Sequence, residues 1–383
     1  MKFTINRHAF LNHLNDATRA IANNATLAVL KGLKIELSQD ELTLIGSDSD
    51  LSIVSQIAVD DLQYEMKVFE IGQTLVPARL FSEIIRKLPG DTFLFEMITP
   101  HNAKIESGKA VFNIVCLPVN EYPELPDLTY DQKITLNSSR LKRLIQQTIF
   151  AASNQESSLG LTGINLAPQP SYIAATASDS HRLSYREMAY PDGLTQESGD
   201  RITVPKKTMS ELARILEDDQ DVSIMINENE VIFQVAHTTI FSRILDGKFP
   251  LALNLIPKNY STEITINSAE LLAAIDRASL VSREDKPNVV HLLYVDGELT
   301  IAVKGNEVGK VEENIQVIES KGEDVKAGFN PDYMKDALRP FEGEDVTLKF
   351  NSNTKPLIIQ AAQSETIPHN ALFQLLTPIR THA

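Results

Sequence analysis

The chain of 383 residues is short of several things. Its single cysteine, Cys116, excludes an internal disulfide framework, which fits a reducing compartment and a cytoplasmic protein. No apolar run approaches the roughly 18–20 residues that span a bilayer, so no membrane partner is expected. The N-terminus, MKFTINRHAF, has no apolar signal-peptide core. The eight histidines are scattered, without the H-x-H or H-E-x-x-H spacing of a metal site. ESGKA at Glu106 lacks the leading glycine of a phosphate-binding loop, and no G-x-G-x-x-G occurs. Ser178, Asp179, Ser180 and His181 stand side by side, but adjacent side chains diverge and no G-x-S-x-G elbow is present, which argues against a hydrolase. No cofactor, metal ligand or catalytic residue is expected. Positive charge is scarce as well. Lys and Arg number 36 against 51 Asp and Glu, a net charge of −15, which taken alone argues against a nucleic-acid partner.

What the chain does contain is a long repeat. FTINRHAFLNHLNDA begins at Phe3, ITLNSSRLKRLIQQT at Ile134 and ITINSAELLAAIDRA at Ile264. Each runs apolar-Thr-apolar-Asn, and Asn6, Asn137 and Asn267 are suited to capping a helix that follows. Apolar residues then recur at helical spacing: Phe10, Leu14, Ala17; Leu141, Ile145 and the imperfect Thr148; Leu271, Ile275, Ala278. A second helix recurs in LVPARLFSEIIRKLPGD, TVPKKTMSELARILEDD and GFNPDYMKDALRPFEGE. Pro77 and Pro205 suit a first turn, and Asn330 takes the cap role before Pro331. Hairpins are expected in ELTLIGSDSDLSIVSQI, SYIAATASDSHRLSYRE and GELTIAVKGNEVGKVEENI, and strand pairs further on, with Phe112, Phe241 and Phe373 opening the last strand of each copy. The expected fold is α+β: three tandem domains over 1–126, 127–253 and 254–383, each with two helices packed on antiparallel sheet. A period near ~130 residues is too long for a solenoid, and head-to-tail units that close give a ring.

The charge is unevenly placed. The six expected helices, 6–21, 77–88, 137–152, 205–216, 267–282 and 330–341, carry 14 bases and 7 acids, so they are +7 while the rest of the chain is −22. Basic helices on an acidic body can hold a polyanion through phosphate contacts that carry no sequence information.

Taken in order along the whole chain, LVPARLFSEIIRKLP, SDSDLSI, DSHRLS, VNEYPELP, ILDGKFP, GFNPDYMKDAL and LTPIR make the sequence resemble the bacterial sliding-clamp family, the beta subunit of DNA polymerase III. The resemblance implies three clamp domains per chain and a head-to-tail homodimeric ring. That ring would encircle double-stranded DNA without sequence preference and act as a non-enzymatic processivity factor of replication. The implied partners are the DNA polymerase III catalytic subunit, a clamp loader and other proteins with clamp-binding motifs. Between the second and third domains it implies a partner-peptide groove of Leu161, Ser178, Ser180, His181, Arg182, Leu183, Pro250, Leu255, Asn330, Tyr333, Pro356, Leu375, Thr377, Pro378, Ile379 and Arg380. It implies DNA-facing Arg79, Arg86, Lys142, Lys206 and Lys207, and a dimer contact of Phe112 and Ile114 with the partner's counterparts of Leu280 and Val281. The sequence departs from the family where Ser180 replaces a usual Gly, where Asn23 and Asn24 fill a loop that often carries a base, and where the tail runs on through Thr381, His382 and Ala383. On the residues alone two other readings stay open: an acidic enzyme using the SDSHR loop, and a groove-contacting DNA-binding protein with sequence preference.

Overall fold

The computed structural model describes residues 1–22, 27–125, 130–190, 199–247, 249, 256–257, 259–284, 286–304, 309–341, 343–362 and 369–379, with only the backbone of Glu156, Ser157 and Lys304. The first repeat forms β1 (Lys2–Asn6), α1 (Arg7–Thr18), β2 (Gly32–Leu37), β3 (Glu41–Ser47), β4 (Leu51–Ala58), β5 (Lys67–Glu70), β6 (Gly72–Pro77), α2 (Ala78–Lys87), β7 (Thr92–Thr99), β8 (Asn102–Ser107) and β9 (Ala110–Val115). The second forms β10 (Gln132–Asn137), α3 (Ser138–Thr148), β11 (Gly163–Pro168), β12 (Tyr172–Ser178), β13 (Arg182–Ala189), β14 (Ile202–Pro205), α4 (Lys206–Ile215), β15 (Asp221–Ile226), β16 (Glu230–Val235) and β17 (Thr238–Arg243). The third forms β18 (Thr262–Asn267), α5 (Ser268–Ser282), β19 (Val290–Val295), β20 (Glu298–Lys304), β21 (Lys310–Ile315), β22 (Glu319–Gly322), β23 (Val325–Phe329), α6 (Pro331–Leu338), β24 (Asp345–Phe350), β25 (Leu357–Ala361) and β26 (Leu372–Leu376).

The caps act as the sequence implies. Asn6 Oδ1 accepts from the His8 and Ala9 amides, Asn267 from Ala269 and Glu270, and Asn330 from Asp332 and Tyr333, satisfying helix N–H groups that have no partner within the helix. The α-helices are shorter than expected by one to a few residues. Thr148 explains one case: it is fully buried, and its Oγ1 donates back to the Leu144 carbonyl at 2.8 Å as α3 gives way to a 3₁₀ turn at Ile149–Ala151. Pro77 is the N-cap of α2 and not a first-turn residue. The three phenylalanines lie inside their strands, which start earlier, at Ala110, Thr238 and Leu372.

The chain divides into two compact units, Met1–Ser139 with Glu211–Ile244, and Arg140–Ser210 with Leu245–Ala383, so the division passes through the middle repeat. The first unit holds a five-stranded sheet, β5-β1-β7-β8-β9, and an eight-stranded sheet, β10-β15-β16-β17-β4-β3-β2-β6. Its core stacks Phe3 on Phe95 at 5.4 Å, with Phe10 edge-on to Phe93 at 5.2 Å and to Phe81 at 6.2 Å. At Gly46, α1 passes so close over β3 that a Cβ would lie 2.0 Å from the Ala17 carbonyl oxygen. The second unit holds a nine-stranded sheet, β14-β11-β12-β13-β26-β25-β24-β18-β22, and a four-stranded sheet, β21-β20-β19-β23. Buried Ile264, Leu271, Ile275, Phe341 and Phe350 belong to its main core.

Each large sheet contains a seam where one repeat joins the next. In the first unit β4 pairs with β17, Leu51 opposite Ser242. In the second, β13 pairs with β26, Arg182 opposite Leu376. The remaining counterparts of these strands, β9 of the first repeat and β21 of the third, are sheet edges among the described residues.

Candidate functional site

The second seam gathers most of the expected groove. The β12–β13 turn is set by Asp179, whose Oδ1 accepts from the amides of His181 and Arg182, both at 3.0 Å. Ser178 Oγ donates to the Arg182 carbonyl at 2.8 Å. That leaves Ser180 at φ +76°, a conformation that favours glycine, so this departure from the family keeps the turn and carries the strain in one residue. The Ser178 hydroxyl is engaged inside the turn.

Arg182 is the hub. Its Nε donates to Asp179 Oδ2 at 2.9 Å, one terminal nitrogen to Asp336 Oδ2 at 2.8 Å and the other to the Phe150 carbonyl at 2.8 Å. The guanidinium also lies over the Tyr333 ring, 4.3 Å from its centroid, and 5.5 Å from that of Phe150. The side chain is only 12% exposed, so this charge is a fixed, fully used structural ion. Beside it, exposed His181 stacks on half-buried Tyr333 with centroids 6.3 Å apart. Asn330 caps the helix that presents Tyr333.

The C-terminal strand closes one wall. The Thr377 amide donates to the His181 carbonyl at 2.9 Å, and the Ile379 amide to the Gly328 carbonyl at 2.8 Å, two residues before Asn330. Pro378 between them is buried. Leu183 and Leu375, opposite one another in the sheet, pack with Ile358, Ala167, Ala174 and Tyr185 as an apolar floor. Pro356, half-buried, precedes β25, and half-buried Leu161 accepts from the Ser153 amide at 2.9 Å. Pro250, Leu255 and Arg380 lie outside the described residues, as do Asn23 and Asn24. Sequence reasoning missed Phe150, Asp179 and Asp336, which hold Arg182. Asp179 had a signal, a polar turn residue between two alternating segments. Phe150 and Asp336 had none, since each reaches Arg182 from another element.

The basic residues on the helices differ in their setting. Arg79 is highly exposed, with Nε 3.3 Å from Glu83 one turn on, and exposed Arg86 donates to Asn15 Oδ1 at 2.7 Å. Lys142 is half-buried and Lys207 exposed. Lys206 is half-buried, donating to Asn154 Oδ1 at 2.9 Å and the Ala152 carbonyl at 3.3 Å. Burial, and next the Arg182 charge, hold its ammonium below the usual lysine range.

At the free edges, Val111, Phe112 and Val115 of β9 are exposed. Ile114, opposite Ala103 of β8, is buried in its own core, whereas Phe112, opposite Ile105, stays exposed at the edge. Leu280 is 66% exposed near the end of α5, and Val281 packs against the core of the third repeat.

Comparison with known proteins matches the chain in three pieces. Residues 1–126 match the family described as the DNA polymerase III beta subunit, N-terminal domain; 135–251 match its central domain and 253–373 its C-terminal domain. The beta sliding clamp of Bacillus subtilis is 38% identical over 385 residues, with both chains fully covered. That of Staphylococcus epidermidis is 35% identical over 384 residues, again fully covered. The crystal structure of the DNA polymerase sliding clamp from Bacillus subtilis superposes with a TM-score of 0.94 at 37% identity over all of both chains. That of the DNA polymerase III beta chain from Streptococcus pneumoniae gives 0.94 at 30% identity, covering 99% of this chain and 100% of the other. The chain therefore belongs to the DNA polymerase III beta subunit family, the beta sliding clamps, and is a non-catalytic processivity factor of DNA replication built from three tandem clamp domains.

Proposed function

We propose that two copies of this chain close head-to-tail into a ring around duplex DNA, and that partner proteins are tethered by a peptide seated in the groove at Arg182 and Tyr333. The domains in this reading are 1–126, 127–253 and 254–383, which the matched ranges support. The unpaired seam strands support closure. Two seams of three are made within one chain, and β9 and β21 are the parts left over for the third. Pairing β21 of one copy with β9 of the next would bury Phe112 and Leu280 and cover two edges that otherwise invite aggregation. Ile114 would take part through its backbone, since its side chain faces inward.

Duplex DNA would face the helices, with Arg79, Arg86, Lys142, Lys206 and Lys207 meeting phosphates. Lys206, already tied to Asn154, would act from a fixed position. A closed ring cannot leave sideways, so weak, sequence-neutral contacts suffice and tight ones would impede sliding. No bond is made or broken. Loading needs an ATP-driven clamp loader to open the ring, in the cytoplasm where the DNA polymerase III catalytic subunit works.

The Arg182 hub is the observation that carries the groove. It spends its charge inward, on two carboxylates and a carbonyl, and turns an aromatic and apolar surface outward: His181, Tyr333, Ile379 and the Leu183–Leu375 floor. Such a surface takes aromatic or aliphatic anchors of an extended peptide, while Asn330 and Thr377 fix its register.

Retention on DNA tests the ring. Labelled protein is loaded on a nicked circular plasmid with clamp loader and ATP, and half the sample is cut once with a restriction enzyme. Protein kept on the circle and lost from the linear form is expected; equal retention on both means ordinary contact binding and defeats the ring.

A further inference from the structure

Between the end of α1 and the start of α2 the first repeat holds a cavity of about 710 Å³, within the size range of small-ligand sites. Lys31, Arg79 and Arg86 stand at it against one acid, Glu83. Ser82 lines it too. This residue is only 6% exposed, and among the described residues its hydroxyl has no hydrogen-bond partner. A buried hydroxyl left unpaired is costly, so the position calls for something to meet it.

The third repeat fills the same space with its own side chains. Asn6 and Asn267 are the N-caps of α1 and α5, and Pro77 and Asn330 those of α2 and α6, so the helices align residue for residue. Ser82 then corresponds to Lys335, Thr18 to Ser279, Arg79 to Asp332 and Ala22 to Arg283. Lys335 is buried, with its ammonium 3.1 Å from Asp332, 3.3 Å from Asp276 and 3.4 Å from the Ser279 hydroxyl. Arg283 meets Asp332 as well, at 3.6 Å. Two cations thus close on one acid. In the first repeat neither cation is present, since Ser82 and Ala22 take their places. Asn15 stands for Asp276, and the acid itself is replaced by Arg79. The side chains that fill the space are missing, and the charge at its centre has the opposite sign.

We infer that this cavity binds a phosphate-bearing small molecule of nucleotide size. Lys31, Arg79 and Arg86 would meet the phosphate oxygens, the Ser82 hydroxyl would donate to one of them, and Ile21 and Ala78 would cover the apolar part. Among the described residues Arg79 gives its Nε to Glu83 and Arg86 one terminal nitrogen to Asn15, so both guanidinium groups keep further donors for a ligand. The cavity lies within one repeat, so the inference does not depend on ring closure. A ligand seated there would compete with DNA for Arg79 and Arg86.

The probe is dATP, titrated calorimetrically into the full chain at about 150 mM salt, where exposed charges further than ~8 Å apart are largely screened. Deoxyadenosine is the phosphate-free control. Saturable binding of dATP at a single site per chain is expected, and none of deoxyadenosine. Arg79→Asp, which copies the third repeat at a highly exposed position, is expected to weaken binding ~10-fold or more, and Ser82→Ala ~5-fold, the scales of a charged and of a neutral hydrogen bond. Lys87→Asp changes the charge of the same helix outside the cavity and should alter affinity by less than about 2-fold at this salt. The proposal fails if dATP shows no saturable binding, which leaves the cavity as part of the DNA-facing surface alone. It fails equally if deoxyadenosine binds as well as dATP, if Arg79→Asp binds as tightly as the wild type, or if Lys87→Asp weakens binding as much as Arg79→Asp, which would mean general charge attraction.

Discussion

Two turns in this molecule have the same backbone and different jobs. In the first repeat Asp48 Oδ1 accepts from the Asp50 and Leu51 amides, and Ser49 sits at φ +85°. In the second, Asp179 does the same for His181 and Arg182, with Ser180 at φ +76°. Even the next contact repeats: the Arg243 amide donates to the Asp50 carbonyl at 3.0 Å, and Thr377 to that of His181 at 2.9 Å. The helix beside each seam also carries the same pair, Glu211–Arg214 in one and Asp336–Arg339 in the other. What changes is two side chains. Asp50 faces Arg243 across 3.7 Å and Leu51 is buried, so the first seam is closed by its own residues. His181 and Arg182 instead build an aromatic platform with Tyr333. Two positions on one kind of turn separate a self-closed seam from the surface proposed to bind partner peptides.

The proposed third seam gives the comparison its largest test. Leu280 stands at the position held by Phe150 just past α3 and by Arg19 just past α1, whose partners are Arg182 and Glu211. Leu280→Asp should convert the dimer wholly to monomer, read by sedimentation at micromolar concentration; a variant that stays dimeric on dilution removes this residue from the interface. Next is Arg182→Leu, which restores the residue of the first seam. It strands Asp179 without its cation and leaves Asp336 only Arg339, so it should cost about 3 kcal/mol of stability in urea unfolding and abolish binding of a clamp-binding peptide. Retained peptide affinity would mean the platform stands without its hub. Tyr333→Ala leaves the hub and removes the ring. Peptide affinity should fall by about 1–2 kcal/mol, the scale of a lost aromatic and cation–π contact, with dimerisation unchanged. The smallest effect is Ser180→Gly beside Ser49→Gly. Each relieves a left-handed serine and should raise stability by up to about 1 kcal/mol, with peptide binding unaltered; unequal gains would show that the two turns are not equivalent after all.

Much of this was readable in advance. Asn before an apolar-periodic run predicts a capped helix, and Asn6, Asn267 and Asn330 are caps. Alternation about SDSD and SDSH predicts hairpins, and both form. Ile114 shows the limit. Alternation in AVFNIV puts Phe112 and Ile114 on one face, but does not say how far the core covers it: Ile114 is buried and Phe112 exposed. Thr148 shows another: a buried hydroxyl in an apolar stripe bonds its own backbone where α3 gives way to a 3₁₀ turn, which periodicity does not register.

By itself the sequence determined the threefold repeat, the capped helices, the hairpins and the excess of bases on the helices, because each depends on residues close together in the chain. Only the tertiary structure decided where the middle repeat divides, which strands remain unpaired edges, and that Arg182 is held at once by residues 150, 179 and 336 under the Tyr333 ring. Those outcomes depend on pairing between repeats, and the local pattern of one repeat is compatible with either a paired or a free edge.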